Sequence, residues 1–169
     1  MNKLFAALLL SIAFIFSSFT LKKGKDHIED PNDFALAIFN NINKNEFKKL
    51  DNYISRYDDF IDLIHSSSFS KEEKEKAILN REQYKLNIAE AHESIEKIQK
   101  EIALSNIDLD DLKLVDIEFK IKQKADVRTG KFELTLKHNN KRYTLKIKQC
   151  FIIDNQWKTL EGFSFREED

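Results

Sequence analysis

The stretch Leu114-Val115-Asp116-Ile117-Glu118-Phe119-Lys120-Ile121-Lys122 decides the fold class, because there apolar residues stop recurring every three or four positions and begin to alternate one for one. A period of two marks a strand with one buried and one solvated face. Val115, Ile117, Phe119 and Ile121 share one side, and Asp116, Glu118, Lys120 and Lys122 the other. The alternation returns in Phe132, Leu134 and Leu136, and again in Tyr143, Leu145 and Ile147. Turn residues separate the runs: Thr129-Gly130 stands between the first two, and Asn139-Asn140 and Asp154-Asn155 each predict a hairpin. A last strand is expected from Gln156 to about Phe165, with Gly162 marking a bulge or sharp bend inside it. At Gln149 to Ile153 the alternation fails, and the consecutive apolar residues Cys150-Phe151-Ile152-Ile153 predict cover on both faces or a shift of register.

Upstream, the period is helical. Asn32 or Asp33 can cap a first helix with Phe34, Ile38, Phe39 and Ile42 on one face. After the break Asn43-Lys44-Asn45, a second helix is predicted from Glu46 to about Arg56, carrying Phe47, Leu50, Tyr53 and Ile54, and the pattern runs on through Phe60, Ile61, Leu63 and Ile64. Ser70 with Glu73 reads as a capping box opening the longest element, Lys71 to about Leu104. Its seam is Tyr84, Ile88, Ala91, Ile95, Ile98 and Ile102, interrupted towards Ala77 at Arg81. Such a stripe suits a coiled coil with a partner or a helix lying across its own sheet, and the sheet that follows needs a cover. The expected architecture is α+β: two short helices and one long one packed on a curved antiparallel four-stranded meander.

Residues 1–20 have the layout of a secretory signal peptide: Lys3, then an apolar run from Leu4 to Phe16, then Ser17-Ser18-Phe19-Thr20. Cleavage is expected after Thr20. An uncleaved membrane tether is the alternative, and Lys22, Lys23 and Lys25 bear on both readings. No cysteine follows the run to accept a lipid. Residues 21–31 read as a charged tether ending at Pro31, and residues 32–166 as one domain. The chain is expected to be exported, periplasmic or secreted. Cys150, the single cysteine, can form no internal disulfide, and its apolar neighbours favour a buried inert thiol over a nucleophile.

Charge is segregated although the net is -1: residues 113 to 158 carry 12 Lys or Arg against 5 Asp or Glu, and residues 21 to 112 carry 14 against 20. A basic sheet and acidic helices follow. Export and the lack of aromatics interleaved with the lysines argue against nucleic acid as a partner. A solvated, lysine-protected sheet face is the default reading.

Reactive constellations are hard to find. His27, His65, His92 and His138 are scattered, and His92-Glu93 lacks the second histidine that a helical zinc motif needs. With glycines only at 24, 130 and 162 there is no phosphate loop, and there is no serine nucleophile elbow. No catalytic, cofactor-binding or metal-ligating residue is assigned, and no cofactor is expected. His92, beside the seam of the long helix, could point into a pocket as an acid or base, but Glu93 and Glu96 suit an exposed face better. Trp157 and Tyr143 are read as core fillers before ligand contacts.

In layout the chain resembles the nuclear transport factor 2-like superfamily. The resemblance rests on Pro31-Asn32-Asp33-Phe34-Ala35-Leu36-Ala37-Ile38-Phe39, on Asn43-Lys44-Asn45-Glu46-Phe47-Lys48-Lys49-Leu50, on Lys141-Arg142-Tyr143-Thr144-Leu145-Lys146-Ile147 and on Asp154-Asn155-Gln156-Trp157-Lys158. It covers about residues 32 to 165 and implies a curved sheet and helices around a conical pocket, which some members use for small apolar ligands and others as a dimer scaffold. No isomerase-type acid or base can be placed by motif, and fold alone transfers no function. The long third helix departs from the family and is expected to break near Arg81 or to project. Three readings follow: a noncatalytic exported binding module for a small apolar ligand or a protein; a cofactor-free isomerase or cyclase working in the cone; and a structural protein that pairs through the sheet face or the long helix.

Overall fold

The computed structural model describes residues 29–168. The leader 1–20, most of the tether, and His27 lie outside the described residues. Helix α1, Pro31–Asn43, begins earlier than its spacing suggested: Asp30, and neither Asn32 nor Asp33, is the cap. Its carboxylate accepts from the N–H groups of Asn32 at 2.8 Å and Asp33 at 3.2 Å. Pro31 sits at the first helical position, where no N–H is needed. The expected second helix is a short 3-10 helix, Phe47–Tyr53. It stops because the sheet captures the chain: Ile54 bridges Thr159 in parallel, and Ser55 N–H donates to Thr159 O at 2.9 Å. A separate helix α2, Tyr57–Ser66, carries Phe60 and Ile64.

The long helix is two, α3 (Lys71–Leu79) and α4 (Arg81–Leu104), broken at Asn80 beside the interruption in its stripe. The capping box at Ser70 and Glu73 forms as expected. Burial explains the break. α3 buries none of its residues, whereas α4 buries Ala91, Ile95, Ile98 and Ile102. The seam therefore lies on the chain's own core, with Tyr84 and Ile88 half-buried at its start.

The sheet is antiparallel and five-stranded: β1 (Lys113–Lys124), β2 (Val127–His138), β3 (Lys141–Ile153), β4 (Gln156–Thr159) and β5 (Phe163–Glu167). The single closing strand expected from Gln156 to Phe165 is split. β4 pairs with the Cys150–Ile153 end of β3, and β5 with its Tyr143–Ile147 end. The split answers a kink in β3, where Gln149 takes φ 42°. Gly162, at φ 70°, turns the chain between β4 and β5, its N–H donating to Thr159 Oγ1 at 2.9 Å. Thr129-Gly130 is not the first turn. The chain reverses at Ala125-Asp126, two residues beyond Lys124, and Gly130 lies within β2. The reason is steric: a Cβ on Gly130 would stand 3.0 Å from ring atoms of both Phe132 and Trp157.

One face of the sheet carries Phe132, Leu134, Leu136, Tyr143, Leu145 and Ile147 against α1 and α4. Phe151 and Ile153 point to the opposite face, under Phe60 and Ile64 of α2. The end of β3 is thus covered on both sides, as its unbroken apolar run predicts, and the register shifts there as well, between Gly130 and Phe132 of β2. Elsewhere the second face is open. Gly162 offers a direct check on how α4 meets the β4–β5 turn. A Cβ there would lie 2.6 Å from Ala91 Cα and would overlap Ser94 Oγ, on top of the positive φ. Gly162→Ala is expected to lower the unfolding free energy by about 3 kcal/mol or more in urea titration.

Candidate functional site

The space between the helices and the sheet, where a conical pocket would sit, is filled by rings. Phe34 of α1 meets Phe132 edge-on at 4.9 Å between centroids, and Phe132 meets Trp157 edge-on at 5.3 Å. Tyr143 stacks on Phe165 at 5.3 Å. Trp157 has no exposed surface, and its indole N–H donates to Glu29 O at 2.9 Å, which ties the entry of α1 to β4. Among the described residues the buried polar side chains are Ser55, Ser67, Ser94, His138, Thr144 and Thr159, with no carboxylate or amine. Among the described residues the buried Tyr143 Oη finds no hydrogen-bond partner.

The residues singled out from sequence are dispersed. His92 stands on the outer side of α4, half-exposed, with Nδ1 2.8 Å from Asp51 Oδ1, and clips α4 to the 3-10 helix. His138 is buried at the end of β2, where Nε2 accepts the N–H of Asp108 at 3.3 Å. His65 is exposed at the end of α2. Among the described residues no three His, Cys, Asp or Glu side chains are grouped to hold a metal. Cys150 is fully buried, and burial drives its thiol well above the ordinary range, which keeps it protonated and unreactive.

The surface with a distinct chemical character is the outer sheet face. Two adjoining depressions share Lys120 and Lys131. One, of about 370 Å³, is lined in part by Glu118, Glu133, Lys146 and Lys148. The other, of about 420 Å³, is lined in part by Lys122, Thr129, Gln149 and Phe151. Strand parity causes this trough: Lys120, Lys131, Lys146 and Lys148 are the outward positions of three neighbouring strands whose inward positions are apolar. Glu133 is paired with Lys146 at 2.7 Å, so the trough keeps an excess of positive charge. Phe151 lies under Phe60, at 5.3 Å, and offers no free ring to a base.

One end of the trough is pinned. Asp126, in the β1–β2 turn, accepts from Ser68 N–H at 2.8 Å, and this bond holds its carboxyl below the usual range. Lys124 pairs with Glu73 of α3. That bond, with the N–H and hydroxyl of Ser70, holds the Glu73 carboxyl down to about 2. The lysine periodicity was visible in the sequence. The pinning was not, because it joins residues far apart along the chain.

Among the described residues no helix is long and apolar enough to cross a membrane. Compared with protein-family models, curated proteins and solved structures, the chain has no match in any of the three.

Tyr143 Oη separates a packing role from a chemical one. A buried hydroxyl with no partner is a burden on stability, so Tyr143→Phe is expected to match the wild type or exceed it by about 1 kcal/mol in urea unfolding. A loss of stability would instead reveal a partner for the hydroxyl.

Proposed function

We propose that the chain is a noncatalytic interaction module, exported by its leader, that docks an acidic protein surface on the lysine trough of its outer sheet face. The scaffold would be of the nuclear transport factor 2-like kind, used for its surface. The observation that carries this reading is the pairing of a ring-filled interior with an outer face whose lysines outnumber its carboxylates. A row of fixed cations on a rigid sheet attracts and orients an anionic partner, more by steering than by apolar burial. A carboxylate-rich protein suits the trough better than nucleic acid, since Phe151 lies under Phe60 and Phe119, though part-exposed at the β1 edge, stands on the apolar side opposite Phe132. The isomerase or cyclase reading would need an acid or base beside an opening in the cone; among the described residues the buried polar side chains include no carboxylate, and His138, the one histidine among them, accepts the N–H of Asp108 at the end of β2.

Polyglutamate immobilised on a column provides the test. The wild-type chain is expected to be retained and to elute with salt, and Lys131→Glu with Lys148→Glu is expected to weaken retention by about tenfold while the melting temperature holds. Equal elution of the wild type and the double variant would contradict the proposal.

A further inference from the structure

Strand β1 is twelve residues long and pairs with β2 on one side alone, so it is an edge of the sheet. The two-residue turn Ala125-Asp126 closes on Lys124 and Val127. In an antiparallel ladder the hydrogen-bonding direction alternates, so Asp116, Glu118, Lys120 and Lys122 bond to β2. The backbone groups of Ile117, Phe119, Ile121 and Gln123 then point outward from the edge, where the Ile117 N–H is met locally by Asp116 Oδ1 at 2.9 Å, a bond that pairing would exchange for one across the edge. The same alternation carried across the sheet agrees with the bond from Lys148 N–H to Gly162 O on the far side of β3.

An open edge invites pairing, and lysines on it usually deter this. Here the charges have an order: acidic at Asp116 and Glu118, then basic at Lys120 and Lys122, with Phe119 between. We propose that two copies of the chain pair through β1, antiparallel about a twofold axis at Phe119, joining their sheets into one. In this register Glu118 faces Lys120 of the second copy and Asp116 faces Lys122, each twice by symmetry. Ile117 faces Ile121, and Phe119 faces itself, all at outward-bonding positions. Moving the axis one residue either way sets Glu118 against Glu118 or Lys120 against Lys120. A foreign strand would match this order only if it were acidic opposite Lys120 and Lys122 and basic opposite Asp116 and Glu118. This strand reversed meets that condition by symmetry.

Two features within a single chain leave these charges without opposite neighbours. Across β1 and β2, Glu118 stands opposite Glu133 and Lys120 opposite Lys131, like against like. Among the described residues Asp116, Glu118, Lys120 and Lys122 make no ion pair. Val115 and Phe119 are also large apolar side chains left 48% and 39% exposed. Pairing covers Phe119 and gives each charge an opposite neighbour. Lys131, Lys146 and Lys148 stay on the open face, so the dimer does not depend on the docking role proposed for them.

Light scattering of the full chain over a concentration series is expected to show a monomer passing to a dimer. Glu118→Lys and Lys120→Glu, made singly, put like charges across the axis and should each weaken the dimer by about tenfold or more. Each also removes a like-charged pair within the monomer, so the melting temperature, compared at a concentration where the wild type is monomeric, should hold or rise. The double variant carrying both changes restores opposite charges and should return the dimer to near wild-type strength. Amides of Ile117, Phe119 and Ile121 should become protected from hydrogen exchange as concentration rises. A monomer at every concentration, a dimer indifferent to the single changes, or a double variant that stays monomeric would overturn the proposal.

Discussion

Trp157 is held from three directions, and the rest of the structure depends on its fit. Phe132 meets its ring edge-on, Phe34 of α1 lies at 6.5 Å, and Gly130 gives it room by having no side chain. Its indole N–H finds Glu29 O at the mouth of α1, so a large buried ring keeps its polar atom satisfied. That bond fixes where the chain enters, and Asp30 follows at once as the cap of α1. A short strand, β4, carries the tryptophan, and the kink at Gln149 lets β4 and β5 share β3.

The rings fill the interior, and among the described residues no Asp, Glu, Lys or Arg side chain is buried with them. Parity then divides the sheet: one set of positions builds the aromatic core and the alternate set builds the lysine trough. The basic sheet face is thus a product of which side each strand residue can take. The same parity gives β1 a charge order along its free edge. Its N-terminal half is acidic and its C-terminal half basic, a property with physical meaning only once the strand is known to have one neighbour.

Much of the fold was legible because it was set locally. The change of period at Leu114 placed the helices before the strands. Asn139-Asn140 and Asp154-Asn155 marked real two-residue turns, since Asn139, Asp154 and Asn155 take positive φ. The seam from Ala91 to Ile102 named the buried face of α4. What escaped was decided by distant partners. Thr129-Gly130 looked like a turn, yet Gly130 serves Trp157, a contact between strands that are not sequence neighbours. The 3-10 helix ended at Tyr53 because Thr159 captured the next residues. His92 lay beside the seam in sequence, but its partner Asp51 holds it on the surface. The lysines of the candidate site were readable by alternation, whereas their grouping into one trough needed the register of three strands.

The space under the helices is packed with rings, and Trp157, the single tryptophan, reports on it directly. Quenching of its fluorescence by acrylamide in the native protein is the measurement. A filled interior predicts blue-shifted emission, quenching far below that of the unfolded chain, and no change when long-chain alcohols or fatty acids are added. Red-shifted, readily quenched emission, or a spectral change on adding such apolar molecules, would show an open cone and contradict the account.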